Sequence, residues 1–282
     1  VKVAVIGSGI SGLACAHYLS AEHEVWVHEA NRRIGGHTAT VDVQLGTRRY
    51  AIDTGFIVFN DWTYPNFIAL MDELGVASKP TAMGFSVRDP YSGLEYAGTN
   101  LDTLFAQRRN LLSVPFIGMV RDILRFNRKA VDDLEAGKLD EGDTLGAYLA
   151  RNAYGDKFIR QYLAAMGSAI WSADCATILD FPVIFFLRFF KNHGLLSVKD
   201  RPQWRVIEGG SRAYLKPLCE RFSQRIASGN AVFSVGRQAG RGVTLRMADG
   251  QRLQYDQVVF ATHSDQALAL LEQPSPGERS IL

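Results

Sequence analysis

Three glycines and a carboxylate carry the clearest chemistry in this 282-residue sequence. Gly7, Gly9 and Gly12 stand at G-x-G-x-x-G spacing, and Glu29 follows 17 residues after the last of them. The first glycine permits a tight turn, the second lets backbone approach a pyrophosphate, and the third lets a helix pack closely on a strand. An acid at about this separation takes ribose hydroxyls and disfavours a 2'-phosphate, so a dinucleotide other than NADP is expected. A β-carbon at Gly9 should obstruct the approach.

These residues need particular elements to position them. Val3 to Ile6 form a short apolar run of the kind buried on both faces of a parallel sheet. A helix is expected from about Ile10 to Ala21, its free N–H groups and positive end aimed at the phosphates, with Ser11 in its first turn. Val25 to Val27 read as the second parallel strand, delivering Glu29 at its carboxyl end.

The next residues, Glu29-Ala30-Asn31-Arg32-Arg33-Ile34-Gly35-Gly36-His37, favour a flavin over a nicotinamide. They resemble the E-A-x-x-R-x-G-G extension of the flavin-containing amine oxidase superfamily, which also holds phytoene desaturases and protoporphyrinogen oxidases. The resemblance implies FAD as cofactor, with Glu29, Ala30, Arg33, Gly35 and Gly36 lining its ribose and pyrophosphate. His37 stands where amine oxidases often carry arginine. Further on, Asp53-Thr54-Gly55-Phe56 is similar to the D-x-G segment of the superfamily, which implies that Gly55 and Phe56 run beside the flavin ring. Read without the resemblance, the same residues are a glycine turn capped by an aspartate. Val206 to Ser211 resemble the family's V-x-G-G-S turn, Val232 matches a valine whose backbone meets adenine, and the apolar run ending at Thr262 is a strand directed at the cofactor.

The implied fold class is α/β. It comprises a Rossmann-like FAD-binding domain with a parallel sheet and β-hairpin insertions, over residues 1–75 and 203–282, and an inserted, mostly helical substrate domain over 76–202. Within these, Pro65 to Leu74 read as a helix with proline in its first turn. Hairpins are expected around Leu45-Gly46-Thr47, across Asp89 to Gly93, and through Asp249-Gly250. A helix over about 115–134 gathers Val120, Ile123, Leu124, Val131 and Leu134 on one face, with Arg121, Arg125, Arg128 and Lys129 on the polar side. That basic side is expected to be solvated, the commoner arrangement, in preference to a peripheral membrane contact. Phe181 to Phe190 are either a core helix or the wall of a tunnel for a long apolar substrate, with Trp171 beside it in either role. After Ser211 one helix is expected to carry Tyr214, Leu215, Leu218, Phe222 and Ile226.

Composition narrows the partners. A net charge of +2 argues against nucleic acid. Cys15, Cys175 and Cys219 form no C-x-x-C pair, so neither a disulfide framework nor a zinc site is suggested, and a reducing, cytoplasmic setting is expected. No charged leader precedes the first strand and no apolar run is long enough to span a bilayer.

The resulting expectation is an FAD-dependent oxidoreductase acting on a small molecule, apolar and lipid-like or an amine. The flavin carries the reaction, and no side chain stands out as a general base; His37, His193 and His263 read as structural or solvent-facing. An NAD-linked dehydrogenase is the alternative from the same fold, and a truncated scaffold or half of a hetero-oligomer is the non-enzymatic one. The resemblance implies a further G-D flavin segment and a second half of the substrate domain beyond Leu282, so weak FAD binding by these residues alone is expected.

Overall fold

The computed structural model describes residues 1–197, 200–238, 240 and 242–282, and their contacts fall into two units. The first comprises Val1–Phe59, Asn66–Lys79 and Arg205–Leu282; the second comprises Asn60–Pro65 and Pro80–Trp204.

Strand β1 (Lys2–Ile6) is central to the first unit because Val3 to Ile6 are buried on both faces. It pairs in parallel with β2 (Glu24–Glu29) on one side and with the strand Gln257–Phe260 on the other. Helix α1 (Ile10–Leu19) makes the crossover between β1 and β2, burying Gly12, Leu13 and Ala16. A fourth parallel strand, Ile226–Ser228, lies outside β2.

That fourth strand corrects the single helix expected after Ser211. The segment is instead broken into a 3-10 turn (Ser211–Tyr214), a short helix (Leu215–Cys219) and a second 3-10 turn (Glu220–Arg225). Pro217 supplies no N–H to a continuing ladder, and β-branched Ile226 finds better use pairing with Val27.

A three-stranded antiparallel sheet, Val232–Gln238, Gly242–Met247 and Arg252–Tyr255, packs on this layer through a core of Ala4, Ile6, Val235, Leu245, Met247 and Tyr255. The hairpin Thr40–Leu45 and Arg48–Asp53 pairs Thr40 with Asp53 at its open end. The expected turns at Gly46 and Asp249-Gly250 therefore connect antiparallel strands.

The second unit is mostly helical, with one hairpin, Ser86–Asp89 and Leu94–Ala97. Its longest helix, α2 (Val114–Glu135), buries Phe116, Met119, Phe126 and Ala130. Val120, Ile123, Val131 and Leu134 flank that core, but Leu124 is exposed, contrary to the face assigned to it from sequence. The four buried positions, spaced three, seven and four apart, centre the inward face roughly 120° around the helix from Leu124. Helix α3 (Val183–Asn192) buries Val183, Phe186, Leu187 and Phe190 on its inner side while Phe185 stays exposed.

Candidate functional site

The glycine turn after β1 is held by backbone. Gly7 donates its N–H to the His28 carbonyl of β2 at 2.9 Å and has φ of +104°. A side chain there would also meet the Ala261 carbonyl oxygen at 2.5 Å, beside Thr262. At Gly12 a Cβ would lie 2.0 Å from the Gly7 carbonyl oxygen, so the helix sits against the turn with no room for a methyl group.

Gly9 behaves differently. A Cβ built on it meets nothing within 4 Å, so its outer side faces open space. Gly36 borders the same space, because a Cβ on Gly36 would lie 3.1 Å from Gly9 Cα. Helix α1 starts directly after its N-cap Gly9 and carries no acidic side chain in its first turn, so none of its own carboxylates offsets the positive end. Ser11 is exposed there.

Glu29 is buried at the end of β2. One carboxylate oxygen accepts from Ser8 N at 3.0 Å and Ser8 Oγ at 2.6 Å; the other accepts from Asn31 N at 2.9 Å and Asn31 Nδ2 at 3.2 Å. Burial pushes its pKa up, but these four donors outweigh it and hold the carboxyl below its usual value. A carboxylate offers about four acceptor sites, all engaged here. The Asn31 side-chain bond is the longest and belongs to an exposed residue, so it is the one a ribose hydroxyl would most readily replace.

Ser8 was not singled out from the sequence. It is fully buried between Gly7 and Gly9, and its carbonyl accepts from Gly35 N at 2.9 Å. It thereby ties the glycine turn to both Glu29 and the second glycine pair. Its place between two motif glycines was the available signal.

Arg33 donates to the carbonyls of Thr38 at 2.9 Å and Gly36 at 2.8 Å, so its guanidinium braces the Gly35–Thr38 loop. Ala30 and His37 are exposed. The His37 carbonyl accepts from Phe56 N at 2.8 Å, and a Cβ on Gly55 would collide with it at 2.2 Å. Gly55 and Phe56 are thus laid against the R-x-G-G loop.

Asp53, adjoining them, accepts from Ser211 N at 2.9 Å, Ser211 Oγ at 2.9 Å and Thr40 Oγ1 at 2.6 Å. The Gly209–Ser211 turn is therefore fixed to the base of the hairpin. Val232 is buried in the core under the antiparallel sheet, three residues after Gly229, whose N–H reaches the Glu29 carbonyl at 3.0 Å. His263 is exposed before a helix, and His193 stacks on Phe189 with centroids 3.9 Å apart.

A parallel βαβ unit with an open glycine cradle, an uncompensated helix end and a bonded carboxylate defines a dinucleotide-binding protein. The chain matches the family described as flavin containing amine oxidoreductase over residues 10–280, and it belongs to that family. FAD is accordingly the cofactor of this fold. The residues fit it: Gly9 leaves open space for a pyrophosphate, Gly36 packs closely on Gly9, and the nearby Glu29 carboxyl is held below its usual pKa.

Among solved structures, cyclohexylamine oxidase from Brevibacterium oxydans IH-35A superposes with a TM-score of 0.74 at 22% identity. That alignment covers 99% of this chain and 62% of the other. A putrescine oxidase A394C mutant gives 0.71 at 18% identity, covering 99% and 62%. An oxidoreductase from Methanosarcina mazei gives 0.65 at 17%, covering 99% and 64%. At these identities the likeness establishes the fold, and the chain spans less than two thirds of each of these structures. No curated protein sequence matches it.

Proposed function

We propose that these residues hold the FAD of an oxidoreductase that oxidises an apolar, lipid-like substrate. In this reading residues 1–75 and 203–282 form the cofactor domain and 76–202 form part of the substrate domain. The observation that carries the cofactor half is the open space over Gly9, against which Gly36 packs, beside the bonded Glu29. When bound, the flavin supplies a ring nitrogen that accepts a hydride from a carbon beside nitrogen or within an alkyl chain.

The chain's own residues bind and orient. The N–H groups of the first turn of α1 would meet the pyrophosphate and Glu29 would take ribose hydroxyls, while Arg33 braces the Gly35–Thr38 loop. By the resemblance, Gly55 and Phe56, packed on the His37 carbonyl, would run beside the ring. Supporting an apolar substrate is the aromatic side of α3: Trp171 contacts Phe181, Phe185 and Phe189 at 5.2, 6.0 and 4.7 Å between centroids, and Phe185 is half exposed.

The similar cyclohexylamine and putrescine oxidases favour an amine as the second reading. Anaerobic bleaching of the flavin separates the two. Long-chain substrates are expected to bleach it, whereas bleaching by short primary amines alone would overturn the lipid-like assignment. Failure of the full-length protein to retain flavin would overturn the cofactor assignment.

A further inference from the structure

Helix α2 presents an outward stripe that its role in the core does not explain. Val114, Ile117, Arg121, Leu124 and Arg128 recur at intervals of three and four, opposite the buried Phe116, Met119, Phe126 and Ala130. Every member of the stripe is exposed. The 3-10 turn before the helix adds Leu111 and Leu112, and Leu112 is 91% exposed while Val114 is 82% exposed. Such side chains so fully in water, five apolar residues on one helix and its leading turn, form a patch of the kind that marks an interaction surface.

The charges beside it have a definite sign. Between Leu101 and Ala130 lie six basic and two acidic side chains. Some of the cations are consumed by the fold. Arg125 is bonded to Asp122 and to the carbonyls of Asn152 and Ala153, and stacks on Tyr154; Lys129 pairs with Asp133. Arg121 and Arg128, the two on the apolar stripe, make no hydrogen bond or ion pair among the described residues. Beside them opens a groove of about 570 Å³, lined by five basic side chains from Arg121 to Lys138 against Asp132 and Asp133. Val114 to Arg128 span roughly 21 Å of helix at 1.5 Å per residue, so the apolar and cationic positions lie along one line.

We propose that this face docks the protein on an anionic phospholipid surface. Leu112, Val114 and Ile117 enter the headgroup boundary while Arg121 and Arg128 meet lipid phosphates, the groove accepting a headgroup. The contact is peripheral, since among the described residues no helix is long and apolar enough to cross a membrane. An acidic bilayer is favoured over a protein partner because the apolar residues project from a helix end, both charged members of the stripe are positive, and five basic side chains outnumber Asp132 and Asp133 in the groove beside it. This replaces the solvated role that the arginine spacing alone suggested. It does not rest on the substrate reading, because association with vesicles is measured without turnover.

The experiment is co-sedimentation of the full-length flavoprotein with vesicles of phosphatidylcholine, with and without phosphatidylglycerol. Binding to the acidic vesicles is expected, weakening with salt. The pair Leu112→Asp and Val114→Asp, and separately the pair Arg121→Glu and Arg128→Glu, should each lower the bound fraction at least tenfold with an unchanged thermal melt. Charge reversal at exposed Arg252, in the other unit, should not. Absence of binding by the wild-type protein, or equal binding by the variant pairs, would overturn the proposal. So would a self-association that Leu112→Asp abolishes without any vesicle binding, which would assign the face to a second copy.

Discussion

Gly9 and Gly12 are both motif glycines, yet they answer to different demands. Gly12→Ala places a methyl 2.0 Å from a carbonyl oxygen, and overpacking of this kind costs about 1–3 kcal/mol, so the flavin-free protein should melt several degrees lower. Gly9→Ala meets only open space, so the flavin-free melt should be nearly unchanged while FAD affinity, read by fluorescence quenching, falls sharply. Equal affinity for the Gly9 variant would remove the pyrophosphate from this turn. Glu29 adds a pH signature. Its folded pKa lies below the usual 4.5, so its stabilisation is complete above that value and is lost as pH falls through the lower, folded pKa. Urea melts should therefore show Glu29→Gln weaker than wild type at neutral pH and the difference narrowing in acid. FAD affinity of the same variant should fall roughly ten- to hundredfold, the equivalent of a charged hydrogen bond of about 1.5–3 kcal/mol. The glycines and Glu29 were legible because their spacing encodes a turn. Ser8 was not, because a serine in that slot shows its two partners only once β2 and the Gly35 loop come beside it.

Elements closed by local turn chemistry were readable: the hairpins at Gly46, Asp89 to Gly93 and Asp249-Gly250, and the proline-led helix Pro65–Glu73. The strand Ile226–Ser228 was not, since three residues carry no periodicity and its partner, β2, lies about 200 positions earlier. Leu124 misled for a related reason, because helical spacing groups residues on a face without saying which face the core will take. Asp53 shows how separate elements are joined. It holds the hairpin base to the Gly209–Ser211 turn through three donors, and Asp53→Ala should cost about 2–3 kcal/mol by leaving them unpaired. Faster amide exchange at Ser211 is the accompanying readout; unchanged exchange would mean that the turn holds itself. In the helical unit, Tyr148 donates to the buried Asp133 carboxylate at 2.8 Å. Tyr148→Phe should lower stability by about 1.5–3 kcal/mol, measured by denaturant unfolding.

At the scale of the molecule, the α/β class was legible because apolar runs, glycines and caps agree with one another along the first unit. Details of the helical unit were less so, since aromatic packing such as Phe186 on Phe190 leaves little trace in spacing. The proposed cofactor contacts all fall within the first unit, of about 150 residues. Saturating FAD should therefore raise that unit's calorimetric transition and leave a separate transition of the helical unit in place. A hundredfold excess over Kd is worth about 2.7 kcal/mol. A shift shared equally by both would show that they unfold together. The parallel pairing of β1 with Gln257–Phe260 has a consequence for synthesis. Val3 to Ile6 are made some 250 residues before the partner on one flank, roughly 13–50 s at 5–20 residues per second. The described residues of the helical unit end at Trp204, so they are all made while this strand still waits with an open apolar edge. The nascent chain is most exposed to aggregation and chaperones in that interval, and pairing of Gln257–Phe260 with β1 ends it.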